Sequence, residues 1–346
     1  MNSSQNYTHN ESTDEISLQE LFMALWRQKV LIIVITLLAG IVTGIISMFA
    51  ITPVYHARLN IIMNMPATHS TKYGDYMLPI STNEQYINLI TSNSILSNTI
   101  EDMGYDQQDV SIESMRDKIT ITKTDNKNAI QNSFNISVAS DNPEEARRFA
   151  ETLYNNYIVF IDVMVAEGAT EYFLNYYSVQ LKSLEVQLDT NKELLAKNIE
   201  ILNNTPMTIN QKKAIEEMLA SDSTTNFIVM GNILNPNYTE LELDIIEIKQ
   251  EINSIENTMN QYNTFLKELR DKQSEIVQYY KSGEFTELKN KIIRITKSNI
   301  YLPSEPVAPR NKTSPSNARN VIIGTLLGGM VSVLIALVKE YWFKKE

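Results

Sequence analysis

The chain has 346 residues, a net charge of −11 at neutral pH and no cysteine. The acidic balance argues against a nucleic-acid partner, because nucleic-acid binding requires a basic face. Without cysteine, the chain has no disulfides, no thiolate metal ligands and no cysteine nucleophile.

Residues 1–29 are predicted to form a cytoplasmic leader that ends in a short helix. The stretch SLQE has the pattern of a capping box, with Ser17 as the N-cap and Glu20 at the third helical position. The apolar residues after Ser17 share one face of that helix: Leu18, Leu21, Phe22 and Leu25. The sequence leaves open whether this helix lies on a membrane surface or begins the next segment early.

Two uncharged apolar runs are long enough to cross a membrane. They are predicted as transmembrane helices at 30–50 and 321–338, and a helix of about 20 residues spans roughly the 30 Å of a bilayer core. The alternatives are a cleaved signal peptide for the first run and a buried core helix for the second. However, the first follows a long acidic leader, and the second precedes the aromatic and basic stretch KEYWFKKE.

The two tryptophans indicate which side of the membrane the termini occupy. Basic residues flank the spans on both sides, so the positive-inside rule decides little. Trp26 and Trp342 both lie just outside the spans on the terminal side, where an interfacial aromatic belt would place them. We therefore expect both termini in the cytoplasm, with a tail at 339–346, and residues 51–320 outside.

Each predicted span contains two glycines four residues apart. Gly40 and Gly44 lie in the first span, and Gly324 and Gly328 lie in the second. Because small residues at this spacing let helix backbones approach closely in lipid, these four positions are predicted to pack helices together.

Residues 51–165 are predicted to form a membrane-proximal α/β base. Three segments have the β-branched content or alternation of strands: VYHARLNIIMNM, KITITKT and SFNISVAS. TNEQYINLITSNSILSNTIEDMGY has apolar residues at helical spacing. A further helix is predicted at DNPEE, with Asn142 as the N-cap, Pro143 at the first helical position and Glu145 at the third.

Residues 166–285 change to the three-four spacing of a long helical, coiled-coil extension. The cleaner of two runs, Leu241 to Tyr280, would span about 60 Å as a helix. Breakers such as NNTPM separate the runs, so an antiparallel helical hairpin is predicted. Packing within one chain accounts for most of the seam, and self-association between chains remains open. The seam residues are Ile245, Ile248, Ile252, Ile255, Met259 and Leu266.

Residues 286–320 are predicted to hold a return strand near 292–295 and a proline-rich connector. Pro303, Pro306 and Pro309 are spaced by three, one turn of polyproline II, and Pro315 follows them. Because the proline ring fixes a backbone torsion, the connector is expected to be stiff and to position the base relative to the second span. An ordinary linker that contains prolines is the alternative.

The sequence contains no pattern typical of catalysis. His9, His56 and His69 lack metal-ligand spacing, and neither a phosphate-binding P-loop nor a nucleophile elbow occurs. The carboxylates fall mainly on predicted helix surfaces. We therefore predict no catalytic residue, no cofactor and no metal, and we do not expect an enzyme.

The order of these parts resembles the polysaccharide co-polymerases, the Wzz-type chain-length determinants. Similar segments occur along nearly the whole chain: ISLQELFMALWRQKVLII, TPVYHARLNIIM, SVASDNPEEARRFAETLYNNYI, NPNYTELELDIIEIKQEI, and LPSEPVAPRNKTSPSNA with GTLLGG. The predicted fold is an α+β membrane protein. Two transmembrane helices flank an extracytoplasmic α/β base domain that carries a long helical hairpin or coiled-coil extension.

The resemblance implies a regulator of surface polysaccharide chain length, for O-antigen, capsule or exopolysaccharide, in the bacterial plasma (inner) membrane. Such a protein acts as a non-catalytic homo-oligomer with a membrane polysaccharide polymerase, and the growing glycan is a further expected partner. The cytoplasmic tyrosine kinase fused to some relatives is not expected here. The alternative is a membrane adaptor that modulates a separate tyrosine kinase in polysaccharide export, with KEYWFKKE as its contact. A purely structural tether is a third reading.

Overall fold

The computed structural model describes residues 18–106, 108–123, 132–212, 216 and 231–342. The helices in these ranges are α1 (Leu18–Arg27), α2 (Lys29–Phe49), α3 (Asn83–Asn88), α4 (Asn93–Met103), α5 (Ile112–Asp117), α6 (Pro143–Asn204), α7 (Pro236–Ser282), α8 (Thr286–Lys291), α9 (Thr296–Asn299) and α10 (Asn317–Trp342). The strands are β1 (Tyr55–Met63), β2 (Thr68–Thr71), β3 (Gly74–Met77), β4 (Ile119–Lys123), β5 (Ser133–Ser140), β6 (Thr208–Asn210), β7 (Asn232–Leu234) and β8 (Ile300–Tyr301).

The chain divides into two compact units. The sheet unit comprises Met1–Ile62, Ile87–Asn156 and Leu302–Glu346, and the hairpin unit comprises Met63–Tyr86 and Tyr157–Tyr301. Helix α6 begins in the sheet unit and continues into the hairpin unit without interruption.

Within the sheet unit, three strands pair antiparallel in the order β4-β5-β1. Tyr55 of β1 lies opposite Ser140 of β5. Ile119 of β4 lies opposite Val138 of β5. Buried and outward-facing side chains alternate along β1 and β5, as they do in strands with one buried face. The three strands predicted for this region are confirmed.

Helices α4 and α6 add further buried side chains to the core of the sheet unit. Ile95 and Leu96 of α4 are buried, as are Phe149 and Leu153 of α6. The helix predicted for TNEQYINLITSNSILSNTIEDMGY is confirmed, but it is interrupted. A short 3₁₀ turn at Leu89–Thr91 separates α3 from α4.

The predicted start of α6 is confirmed. Asn142 Oδ1 accepts the backbone N–H groups of Glu144 at 2.9 Å and Glu145 at 3.2 Å. It thereby satisfies two of the donors that the first turn of a helix leaves unpaired. The Glu145 carboxylate accepts hydrogen bonds from Tyr105 and from Ser140, the latter at 2.7 Å, so the end of β5 is tied to the first turn of α6.

Two helices of the sheet unit, α2 and α10, are long and apolar enough to cross a membrane. The predicted spans at 30–50 and 321–338 fall on them. Their large side chains point mostly outward, with Leu37 and Leu326 among the exposed ones. Helix α1 ends at Arg27, and Gln28 separates it from α2.

The hairpin unit is built on α6 and α7, which run antiparallel. Lys192 of α6 pairs with Glu256 of α7 at 3.3 Å. Nearer the start of α6, Glu167 accepts a hydrogen bond from Tyr280 near the end of α7, at 2.7 Å. The predicted helical hairpin is confirmed. Together with the sheet and the two apolar helices, it gives the mixed α/β architecture that the sequence predicts.

The structure differs from the sequence-based expectation along α6 and after α7. The predicted base helix and first coiled-coil run form a single helix of 62 residues. The return strand predicted near 292–295 lies later in the chain, as β8 at Ile300–Tyr301. Ile292 packs instead into a buried cluster with Val163 and Ile276. Ser17, proposed as a helix cap, and Phe343 in the predicted tail lie outside the described residues.

Candidate functional site

Helices α2 and α10 contact each other through small residues. A Cβ added at Gly40 would lie 2.7 Å from Thr325 Oγ1, and one at Gly44 would lie 3.3 Å from Val321 Cγ2. Both glycines of the first predicted pair therefore face α10, and Gly40 is close enough that a side chain there would require Thr325 to shift.

The glycines of α10 lie at the same contact with less space. A Cβ at Gly324 would lie 2.1 Å from Thr43 Oγ1, and one at Gly328 would lie 2.2 Å from Ala39 Cβ. The adjacent Gly329 differs, because its nearest neighbour, Thr36 Oγ1, would be 3.7 Å away. The structure thus brings together all four glycines that the sequence singles out for helix packing.

Polar side chains join α2 and α10 at the end that leads into the sheet. Ser47 Oγ donates to Asn317 Oδ1 at 3.0 Å and accepts from Asn320 Nδ2 at 3.0 Å. Ser47 is fully buried. The sequence analysis did not predict this cluster. The available signal was the pair Asn317 and Asn320, three residues apart just before the second apolar run.

The opposite end of the pair carries an ion pair. Arg27 Nη1 lies 3.3 Å from Glu340 Oε1, and Gln28 Nε2 donates to Glu340 Oε2 at 3.2 Å. Because the helices are antiparallel, Trp26 and Trp342 lie at this same end. The sequence predicts the two tryptophans on one side, and the described residues place them so.

The proline-rich connector forms no helix between Tyr301 and Asn317, and it is fastened beside the end of α2. The backbone N–H of Val54 donates to the carbonyl of Ser314 at 2.8 Å, and Thr313 N–H donates back to the Val54 carbonyl at 2.8 Å. The four predicted prolines are not equivalent: Pro306 and Pro315 are buried, Pro309 is half-buried and Pro303 is exposed.

The predicted seam residues lie where α7 faces α6. Met259 is half-buried and the other five are buried within the single chain: Ile245, Ile248, Ile252, Ile255 and Leu266. Aromatic rings extend this contact, with Tyr177 of α6 4.8 Å from Tyr262 and 5.2 Å from Phe265 of α7, measured between ring centroids. Packing inside one chain accounts for the burial of this seam.

A buried carboxylate holds the segment after α8 against α6. Asp162 is fully buried, and Arg294 Nε donates to it at 3.0 Å. The backbone N–H and the hydroxyl of Thr296 also donate to Asp162, each at 2.9 Å. Sequence analysis did not single out Asp162. The signal was a lone acid inside the apolar run YIVFIDVMV, since a buried charge requires partners.

The described residues include no group of three or more His, Asp or Glu side chains that could hold a metal ion. His56 lies on β1 and His69 on β2, and His9 lies outside the described residues. The described features can pack helices, form hydrogen bonds and present a surface for binding.

Comparison with known proteins places these features in a family context. Residues 14–103 match the family described as Wzz, chain length determinant protein. The chain is 30% identical over 146 residues to the probable capsular polysaccharide biosynthesis protein YwqC of Bacillus subtilis strain 168. That match covers 40% of this chain and 54% of the relative, so it spans about half of the relative's length.

Among solved structures, the chain is similar to a full-length bacterial polysaccharide co-polymerase. That similarity has a TM-score of 0.46 and 15% identity and covers 95% of this chain and 99% of the other. A fragment of WzzB, the polysaccharide co-polymerase from Salmonella Typhimurium, gives a TM-score of 0.25 and 14% identity over 76% of this chain and all (100%) of the other. The match over residues 14–103 agrees with the sequence resemblance to the Wzz-type chain length determinants.

Proposed function

We propose that the protein regulates the chain length of a surface polysaccharide from the bacterial plasma (inner) membrane, without catalysing a reaction itself. The observation that carries this proposal is the family match over residues 14–103, which includes α2, β1 and α4. The relative from B. subtilis is named for capsular polysaccharide biosynthesis, which supports a glycan as the regulated product.

In this proposal α2 and α10 cross the membrane as an antiparallel pair, and both termini lie in the cytoplasm. The outward-facing large apolar side chains and the small residues at the contact support a lipid environment. Trp26 and Trp342, beside the Arg27–Glu340 pair, would mark the cytoplasmic interface.

The connector would fix the sheet relative to the second span. The hydrogen bonds between Val54 and the Thr313–Ser314 segment support this role, because they join the residues that follow the first span to those that precede the second. We propose that Pro303, Pro306 and Pro309 stiffen the same connector, since proline limits the conformations of an otherwise unpaired backbone.

The protein would act as a homo-oligomer together with a membrane polysaccharide polymerase. Apolar side chains that remain exposed on the outer faces of the hairpin support a further interface: Val179, Val186, Leu243 and Ile246. This surface is separate from the seam, whose residues are buried within one chain.

The direct test is the polysaccharide profile of a strain that lacks the gene. Surface glycan from wild-type, deletion and complemented strains would be separated by size on a gel. We expect the deletion to lose the preferred length and the full chain to restore it. An unchanged length distribution in the deletion strain would contradict the proposal and favour a structural tether.

A second candidate function is modulation of a separate cytoplasmic tyrosine kinase in polysaccharide export. The observation that favours it is the exposure of Trp342, which ends α10 with most of its ring uncovered. Replacing Trp342 with Ala should then reduce kinase phosphorylation without altering membrane insertion. A purely interfacial role for Trp342 predicts weaker insertion and unchanged phosphorylation.

A further inference from the structure

The hairpin unit contains a cleft of about 270 Å³, which no sequence motif predicts. The turn between β2 and β3 contributes Lys72 and Tyr73, and Gly74 permits that turn with a φ of +129°, which L side chains rarely adopt. Helices α6 and α7 contribute Phe173 and Lys272. The residues that line the cleft include lysines and apolar side chains but no Asp or Glu.

Lys272 differs from the other two lysines that line the cleft, Lys72 and Lys291, which are paired with carboxylates. It is half-buried, and among the described residues no carboxylate lies within ion-pair distance of it. Its ammonium instead lies 5.3 Å from the centre of the Tyr73 ring. Burial, followed by the nearby charge of Lys72, lowers the pKa of Lys272. The charge of Glu268 raises that pKa, and an anion bound in the cleft would act in the same direction.

Lys72 and Lys291 place two more ammonium groups at the rim. Lys72 lies 5.1 Å from the centre of the same Tyr73 ring and is paired with Glu268 at 2.6 Å. Lys291 is paired with Glu275. Neither of these carboxylates is among the residues that line the cleft, although each contacts a lysine that does.

Part of the lining is an apolar wall. Phe173, Leu269 and Ile292 belong to it, and all three are buried side chains held by the α6–α7 contact or by the cluster around Val163. The Asp162 contacts to Arg294 and Thr296 fix the segment that carries Ile292. The cleft is therefore lined by both ammonium groups and hydrocarbon, as in sites for small polar ligands with an apolar face.

We propose that this cleft binds an acidic sugar residue, whose carboxylate lies between Lys72 and Lys272 and whose ring contacts Phe173 and Leu269. The inference rests on the proposed function, because the regulated glycan would supply such a residue. A bare phosphate could satisfy the ammonium groups, but it would leave the apolar wall and most of the volume unused. A sugar ring has C–H groups for that wall and a size that suits this volume.

The test measures binding to the full-length protein in lipid nanodiscs by calorimetry. The probes are a tetrasaccharide of alternating glucuronic acid and N-acetylglucosamine, a neutral N-acetylglucosamine tetrasaccharide, and inorganic phosphate. Lys272→Met removes the charge at similar length, and Lys272→Arg keeps it. Lys267→Met, at an exposed lysine of the same helix, is the matched control.

We expect the acidic tetrasaccharide to bind at least about tenfold more tightly than the neutral one and than phosphate. Lys272→Met should lose about that factor, the scale of a charge-assisted hydrogen bond. Lys272→Arg and Lys267→Met should bind like the wild type. Equal binding of acidic and neutral probes, equal binding of phosphate, or no binding at all would overturn the proposal.

This outcome is independent of the gel test. A deletion strain with altered glycan length but no acidic-sugar binding would overturn the cleft and leave the function standing. If binding depends on Lys272 but deletion leaves glycan length unchanged, the acidic-sugar site would stand and the proposed function would be overturned.

Discussion

The chain contains two antiparallel helix pairs whose side chains are arranged in opposite ways. Between α2 and α10, glycine, serine and threonine lie at the contact while leucines such as Leu37 face outward. Between α6 and α7, isoleucines such as Ile252 lie at the contact, and charged residues such as Lys192 lie at its margin.

The difference is the one expected if α2 and α10 lie in lipid and α6 and α7 lie in water. In water, burying apolar area stabilises a helix contact by about 25 cal/mol per Å², so large apolar side chains belong at the seam. In lipid that driving force is absent, and close backbone approach with hydrogen bonds between helices takes its place. The contacts of α2 and α10 fit the second case, and those of α6 and α7 fit the first.

The largest expected effect comes from charging the seam of the second pair. Replacing Ile252 and Ile255 with Asp would place two charges in a contact where the wild-type side chains are buried. The free energy of unfolding should fall by several kcal/mol. Urea unfolding of the full chain in detergent, followed by circular dichroism, should show a much lower midpoint.

The matched control for the seam is Ile246→Asp. Ile246 lies on the same helix but is exposed, so its replacement should leave the midpoint nearly unchanged. If the control and the double variant unfold alike, the seam does not hold the hairpin together.

The next largest effect should come from the buried acid within the hairpin unit. Asp162→Leu would leave Arg294 and the Thr296 N–H without their acceptor, and breaking a buried ion pair costs about 3–5 kcal/mol. The same urea titration measures it. Asp189→Leu changes an exposed acid on the same helix and should cost under about 0.5 kcal/mol. A smaller loss for Asp162 than for Asp189 would contradict the account.

In the first pair, a single methyl group should have a measurable effect. Gly328→Ala would force a Cβ against Ala39, whereas Gly329→Ala meets no atom within 3.4 Å, since the nearest lies at 3.7 Å. Overpacking of this kind costs about 1–3 kcal/mol. Because the chain has no native cysteine, disulfide formation between Ser47→Cys and Asn317→Cys can report helix contact as SDS is added.

We expect Gly328→Ala to lose this cross-link at lower SDS than the parent, and Gly329→Ala to match the parent. Equal behaviour of the two glycine variants would mean that α2 and α10 do not pack as closely as described here.

The smallest effects compare one hydrogen bond in each pair. Ser47→Ala removes the hydroxyl that joins Asn317 and Asn320, and such bonds between membrane helices average about 0.6 kcal/mol. Tyr280→Phe removes the bond to Glu167 at the exposed edge of the hairpin and should cost under about 0.5 kcal/mol. Cross-linking of Thr36→Cys with Ser332→Cys measures the effect of Ser47→Ala, and urea unfolding measures the effect of Tyr280→Phe. A Tyr280 effect larger than that of Ser47 would reverse the comparison.

Local signals in the sequence predict much of this architecture. Alternation predicts β5, the Asn-Pro-Glu-Glu stretch predicts the start of α6, and glycine spacing predicts the four close contacts between α2 and α10. The signal for each of these features lies within a short stretch of the chain, even where the contact itself joins distant residues, as between α2 and α10.

Other features depend on residues far apart in the chain and were not predictable. The sequence near Ile292 has the pattern of a strand. In the structure Ile292 instead packs with Val163 and Ile276 in a buried cluster. The cleft combines the β2–β3 turn with α6 and α7, and no local pattern relates Lys72 to Lys272. The uninterrupted length of α6 was missed because Asn191 and Asn198 break its apolar spacing without breaking the helix.

The central claim is that α2 and α10 face lipid, whereas the hairpin unit built on α6 and α7 faces water. Four single cysteines test it, at side chains of similar exposure in the structure: Leu37 at 59%, Leu326 at 66%, Met207 at 59% and Leu234 at 53%. Intact spheroplasts would be treated with a membrane-impermeant maleimide before and after solubilisation in SDS. The account predicts labelling of the Met207 and Leu234 positions from outside, and of the Leu37 and Leu326 positions only after SDS. Labelling of Leu37→Cys or Leu326→Cys in intact spheroplasts, or protection of the other two, would contradict it.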